Sequence, residues 1–225
     1  MSDYLEDPYF TTEPGFEFLA DWRSGWQFGE QGLVECIVDF LPSMSDIEGV
    51  AVEIGGGDGI KLPLTCQSLL ANDWHVIAYE SDKDARESLA KHLSIYPQHP
   101  SKARGRYENG PIPQCDVLII DIDGRDSVAM KHALRWCNPS LVVVEHYDIA
   151  GPYMSGVEHS MAQPIPEWML GMSIDVPGAS HFIIQDRYQY LDTIAAGHGL
   201  IPICRTRVNS FYMPPNLAQE LYCNV

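Results

Sequence analysis

The chain has 225 residues, 45% hydrophobic and 20% charged. That composition suits a globular protein with one full-size core and excludes a disordered chain, a collagen-like repeat and a coiled coil. Fourteen Lys and Arg against 31 Asp and Glu give a net charge of −17, a field that repels nucleic-acid phosphate and anionic lipid and accommodates a neutral, cationic or metal-chelated partner.

No run of about 18 apolar residues marks a transmembrane helix. The acidic start, MSDYLEDPYF, lacks the apolar stretch of a signal peptide. The expectation is a cytoplasmic protein with no membrane and no nucleic-acid partner. Cys36, Cys66, Cys115, Cys137, Cys204 and Cys223 never fall as CxxC, so they read as free, mostly buried thiols rather than a zinc knuckle.

Residues 1–28 are irregular and aromatic, an arm packing over the domain. Residues 29–41 predict a helix, with Leu33, Ile37 and Leu41 on one face and Pro42 as its stop. Residues 1–48 are therefore expected to cover the site, and 49–225 to form the ligand-binding domain. From residue 49 short apolar runs alternate with helical stretches. Strands are predicted at 50–54, 74–80, 116–121 and 141–146, with a weak one near 103–108. Helices are predicted at 60–71, at 82–94 with Ser81 or Asp82 as cap, at 126–137 with Asp126 as cap, and at 182–198. Residues 148–180 read as a long irregular connection, and about 200–213 as two closing strands. Regular β-α alternation implies a mostly parallel sheet with helices on both faces.

The run Glu53-Ile54-Gly55-Gly56-Gly57-Asp58-Gly59 follows the first predicted strand. Glycines permit a tight turn with positive φ and let a ligand touch the backbone, and a helix N-terminus following the turn would add free N–H groups. Glu80 closes the second predicted strand, 21 residues after Gly59. That is where doubly wound folds grip a ribose diol. The plain structural alternative is a tight strand-to-helix turn. A nicotinamide-dinucleotide spacing, G-x-G-x-x-G counted from Gly55 and Gly57, would need a small residue at position 60, which is Ile60.

On these residues the sequence resembles the class I S-adenosylmethionine-dependent methyltransferases over about residues 48–213. Their E/D-x-G-x-G-x-G motif is matched by Glu53, Gly55, Gly57 and Gly59, and their acid after strand two by Glu80. The resemblance implies a Rossmann-like, doubly wound, seven-stranded sheet of order 3-2-1-4-5-7-6 with strand seven antiparallel. It further implies that Glu53, Gly55, Gly56, Gly57, Asp58, Gly59, Glu80 and Asp121 surround S-adenosylmethionine. Asp121-Ile122-Asp123-Gly124, Pro139, VVVEHYD, Gly178-Ala179-Ser180 and Asn209-Ser210-Phe211 are similar to the FkbM-type methyltransferases. That likeness implies O-methylation of a small hydroxyl-bearing acceptor. Gly55–Gly59 is also similar to the GGGDG of aminopropyltransferases such as spermidine synthase, although Asp121-Ile122-Asp123 is one residue shorter than their D-x-x-D. A third reading is a catalytically silent module that keeps the cofactor pocket. The sequence allows a homo-oligomer. No N-P-P-Y-like segment follows strand four, and Cys115 precedes that strand, so nucleic-acid methylation is disfavoured.

Ligands of open α/β sheets sit outside the carboxyl ends of the strands. Asp121, Asp123, Glu145, His146 and Asp148 fall there. Asp121 and His146 are expected to face one cleft as catalytic residues, either taking the acceptor's proton or, with Glu145, holding a divalent metal that acidifies the hydroxyl. The alternative is that Asp121 holds cofactor or backbone N–H groups and His146 is a loop histidine. His159 and His181 bracket the long connection, where Tyr153, Met154, Met161, Trp168, Met169 and Met172 suggest an acceptor pocket or lid.

Overall fold

In the computed structural model, residues 10–23, 29–40, 49–61, 64–72, 74–96, 101–122, 124–146, 173–174, 182–183, 188–206 and 208–224 are described. The strands are β1 (Thr11–Thr12), β2 (Val50–Ile54), β3 (His75–Tyr79), β4 (Lys102–Arg104), β5 (Val117–Ile120), β6 (Leu141–Glu145), β7 (Ser173–Ile174), β8 (Phe182–Ile183), β9 (Ile201–Arg205) and β10 (Asn209–Met213). Eight of them form one sheet of order β1-β9-β10-β6-β5-β2-β3-β4. β4, β3, β2, β5 and β6 run parallel, and β10 is antiparallel to both β6 and β9. With β1 set aside this is the expected order 3-2-1-4-5-7-6. β1 adds an edge strand antiparallel to β9, too short for a period to reveal.

β5 and the first four residues of β6 are buried throughout, because helices cover both faces of the sheet. Alternate residues of each strand enter opposite cores. Ala51, Val76, Val117, Ile119, Leu141, Val143 and Phe211 pack with α1 (Glu30–Asp39), α2 (Gln67–Ala71) and α3 (Lys83–Ser94). Val52, Ile54, Leu118, Ile120, Val142, Val144 and Tyr212 pack with α4 (Asp126–Ala133) and α5 (Tyr188–Gly197). A final helix, α6 (Pro215–Cys223), starts with Pro in its first turn, where the missing N–H is harmless. Its Ala218 and Leu221 join the first core. The sequence reading had no helix there.

Several predicted elements differ from the observed ones. The helix expected over 60–71 is ordered as α2 only from Gln67. Asp58 Oδ1 accepts the N–H groups of Ile60 and Lys61 at 2.9 and 2.7 Å, an Asx-type turn that competes with helix. The helix expected over 182–198 begins at Tyr188, since Phe182–Ile183 pairs with Ser173–Ile174. Helix 126–137 stops at Ala133. Asp126 does not cap it: its carboxylate accepts from Ile122 N and Gly124 N and braces the preceding loop. Asp82 does cap α3, accepting from Ala85 N at 2.8 Å. Of the N-terminal arm, Phe16 and Leu19 are buried in the first core. Most of the connection 148–180, with Tyr153, Met154, His159, Trp168 and Asp148, lies outside the described residues, as do Asp123 and His181.

Candidate functional site

A cavity of about 490 Å³ opens over the carboxyl ends of β2, β3, β5 and β6. Its floor is the glycine turn. Gly55, Gly56 and Gly57 line it, and Gly55 and Gly57 hold φ of +102° and +54°. Gly55 N and Gly56 N both donate to Tyr79 O, at 2.9 and 3.0 Å, so β2 and β3 fix the turn between them. A β-carbon on Gly55 would stand 1.6 Å from Asp121 O; only glycine fits. The turn therefore presents glycine backbone to the cavity it lines.

Asp58 and Gly59 were expected beside the ligand, yet neither lines the cavity. Asp58 is engaged in its own turn, and a β-carbon on Gly59 would meet Leu89 and His92 of α3 at 3.0 and 3.2 Å. After Gly57 the next described residue to line the cavity is Thr65, just before α2. The N–H groups just before α2 are taken by Glu53. Glu53 is buried, and its carboxylate accepts Thr65 N at 2.9 Å, Cys66 N at 3.1 Å and the Cys66 thiol at 2.9 Å. Burial raises the Glu53 carboxyl above the ordinary carboxylate range, while the bonds from Cys66 and Thr65 oppose the rise. Glu53 reaches the wall of the cavity as the brace of the loop.

Glu80 and Ser81 line the cavity at the tip of β3, with Tyr79, Arg106, Tyr107, Glu108 and Asn109 beside them. Glu80 Oε1 accepts from Asp82 N at 2.7 Å, which fixes the carboxylate at the start of α3. The rings of Tyr79 and Tyr107 meet edge to face at 5.5 Å. Tyr107 O–H donates to Gly110 O at 3.0 Å, and burial raises its pKa to about 12.

Asp121 and Glu145 line the cavity from β5 and β6. The parallel register Ile120↔Val144 sets the next residues, Asp121 and Glu145, side by side. His146 does not line it, and the expected pairing of Asp121 with His146 fails. The reason is the period of two along a strand. Positions 142 and 144 enter the second core, so position 146 follows them to the face of α5, and Glu145 takes the opposite face with Asp121. The His146 ring is buried against Tyr188, edge to face at 5.8 Å. Neither ring nitrogen has a hydrogen-bond partner among the described residues. Burial lowers its pKa to about 4, and the nearby Asn209 backbone opposes the shift.

One residue the sequence reading overlooked reaches the cavity. Glu30, the first residue of α1, is 4% exposed and lines it with Gln31. Its Oε1 accepts from Thr206 Oγ1 and Asn209 Nδ2, both at 3.2 Å. The partners are 176 and 179 residues away in sequence, so no local pattern signals them. Among the described residues no group of three or more His, Cys, Asp or Glu side chains is placed to hold a metal ion. No described helix is long and apolar enough to cross a membrane.

No family model and no curated protein matches the chain. Solved structures do. The CcbJ methyltransferase from Streptomyces caelestis aligns with a TM-score of 0.50 at 14% identity, over 80% of this chain and 94% of that one. A candidate RNA methyltransferase from Pyrococcus horikoshii, PH1948, aligns with a TM-score of 0.48 at 16% identity, over 87% of this chain and 88% of that one. NcsB1, an O-methyltransferase from neocarzinostatin biosynthesis solved with S-adenosylmethionine and 2-hydroxy-5-methyl naphthoic acid, aligns with a TM-score of 0.45 at 18% identity, over 74% of this chain and 49% of that one. At such identities the likeness concerns the fold. Strand order and the CcbJ alignment agree on it: this chain has the Rossmann-like fold of methyltransferases.

Proposed function

We propose that the chain is an S-adenosylmethionine-dependent methyltransferase acting on a hydroxyl of a small acceptor, in the manner of the FkbM-type enzymes its sequence resembles. The observation that carries this reading is the cavity floor. Three glycines leave bare backbone at the carboxyl edge of the sheet, and Glu80 stands at the tip of the neighbouring strand. The residues fit the cofactor on chemical grounds: a backbone cradle that a β-carbon on Gly55 would destroy, a carboxylate placed for a ribose diol, and acidic walls for a cationic ligand.

When bound, S-adenosylmethionine supplies a methyl group on a sulfonium sulfur. Gly55–Gly57 hold it by backbone, and Glu80 accepts from the ribose hydroxyls. Asp121, beside the glycine turn, would take the proton of the acceptor hydroxyl as its oxygen takes the methyl carbon and the sulfonium sulfur leaves as a neutral thioether. Glu145, its register neighbour, holds the acceptor in line. His146 is sealed beneath α5 and takes no part.

Transfer of labelled methyl from S-adenosylmethionine to small hydroxyl-bearing acceptors tests the reading. Labelled ether product, lost in Asp121→Asn, supports it. Labelled aminopropyl product, or cofactor binding without turnover on any acceptor, overturns it.

A further inference from the structure

We infer that Cys115 and Cys137 form a redox-active dithiol, a modification site that a peroxide closes to a disulfide, clamping the part of the cavity wall carried between β5 and α4. The inference stands apart from the methyltransferase reading. Cys115 lies just before β5 and Cys137 just after α4. Bonds on both flanks hold the two segments together. Gln114 Nε2 donates to Trp136 O at 2.6 Å, and Asp116 O accepts from Ser140 N and Leu141 N at 2.8 and 3.0 Å. Between these flanks both cysteines enter the second core, and the Cys115 thiol donates to Cys137 Sγ. Cys137 Sγ donates in turn to Ala133 O at 3.5 Å. The other thiols are placed differently. Cys66 donates to Glu53, Cys36 and Cys204 lie in the first core where burial raises both, and Cys223 is exposed.

The bond between the two thiols gives them different roles. It lowers the pKa of Cys137 against the effect of burial. The same bond, burial and the neighbouring Asp116 charge raise that of Cys115. Cys137 is therefore the nucleophile and Cys115 the resolving thiol. The Cys137 thiolate attacks one oxygen of hydrogen peroxide. An S–O bond forms, the O–O bond breaks, and the released hydroxide takes the proton that Cys137 gave up. The Cys115 sulfur then attacks the sulfenic sulfur. The S–S bond forms, the S–O bond breaks, and the leaving hydroxide takes the Cys115 proton. Two thiols are oxidised to one disulfide and one peroxide is reduced to two waters. The flanking Gln114 and Trp136 are exposed, so a local opening there admits a small oxidant. The cross-link would enclose residues 115–137, which bring Asp121, Ile122 and Arg125 to the cavity. Cys137 also acts electrostatically on Tyr107, another residue of the cavity wall.

Thiol counting and peptide mapping of the full chain carrying Cys223→Ser, which removes the exposed thiol, test the pair. After hydrogen peroxide this variant is expected to lose two of its five remaining thiols and to yield a peptide cross-linked between Cys115 and Cys137 that dithiothreitol splits. Its urea midpoint should rise by roughly 1 M, the scale of a cross-link over a segment of this length, and hydrogen exchange in residues 105–137 should slow. In Cys115→Ser, dimedone should label Cys137 as the trapped sulfenic acid, and in Cys137→Ser it should leave Cys115 unlabelled. Absence of the cross-linked peptide at a peroxide dose that oxidises Cys223 of the wild type, a link to a different cysteine, or a linked protein with an unchanged or lower midpoint would overturn the clamp. Dimedone on Cys115 in place of Cys137 would overturn the assigned nucleophile. Cofactor binding enters none of these readouts, so their failure leaves the methyltransferase reading where it stands.

Discussion

The α-carbon of Gly55 is pressed so closely to Asp121 that an added β-carbon would stand 1.6 Å from the Asp121 carbonyl oxygen. The first glycine of the turn and the first residue beyond β5 are thus one rigid contact. Gly55→Ala must displace the end of β5 or unwind a φ of +102°. It is expected to lower stability in urea by at least ~2 kcal/mol and to abolish cofactor binding. Normal stability with normal binding would show that the turn is softer than its geometry states.

Glu80 is fixed by Asp82 N at the tip of β3, and the proposed function has it accept from the ribose hydroxyls. Glu80→Ala is expected to weaken cofactor binding by about 1–3 kcal/mol, the loss of charge-assisted hydrogen bonds. Calorimetry giving the same Kd as wild type would remove Glu80 from the ribose site.

Much of the fold is legible in the sequence because β2, β3, β5 and β6 are apolar runs of the length a buried strand needs. The glycine turn and Glu80 are legible because backbone conformation restricts residue choice there. What escaped depends on tertiary contacts. Glu30 acquires its place from Thr206 and Asn209, far away in the chain. α2 is short because Asp58 and Glu53 claim the backbone donors before it. The side of the sheet on which His146 falls was available in principle, since Val142 and Val144 alternate with Val143 and Glu145. It was missed because both neighbours of Asp121's row are chemically plausible, and only the register chooses.

His146 carries a pH prediction. Its pKa in the folded protein is lowered to about 4 by burial, with the nearby Arg205 charge adding to the fall and Asp192 opposing it. In the unfolded chain it lies near 6.5. The unfolded state therefore binds the extra proton first. Stability is full above about pH 6.5 and falls as pH drops toward 4, by roughly 3 kcal/mol in total. The raised carboxyl of Glu53 acts in the opposite sense, so the difference from His146→Phe isolates the histidine. Denaturation of both proteins between pH 7 and 4.5 should show wild type losing more. Parallel curves would mean that His146 titrates normally. Methyl transfer itself should show no inflection that disappears in His146→Phe.

Glu30 and Gln31 belong to the wall of the cavity, and the Met- and aromatic-rich stretch 148–172 follows directly on β6 and Glu145. Hydrogen exchange in residues 29–39 and 148–180 is expected to slow when S-adenosylhomocysteine binds. Unchanged exchange in both segments would make them peripheral packing.

The most direct test is calorimetry of wild type and Gly57→Val with S-adenosylmethionine and S-adenosylhomocysteine. Gly57 lines the cavity at a φ of +54°, and a branched side chain there takes the space of the ligand. One saturable site in wild type, absent in Gly57→Val while the variant stays folded, is the predicted result. No heat with either ligand in wild type, or equal binding in the variant, would contradict a cofactor seated on this turn.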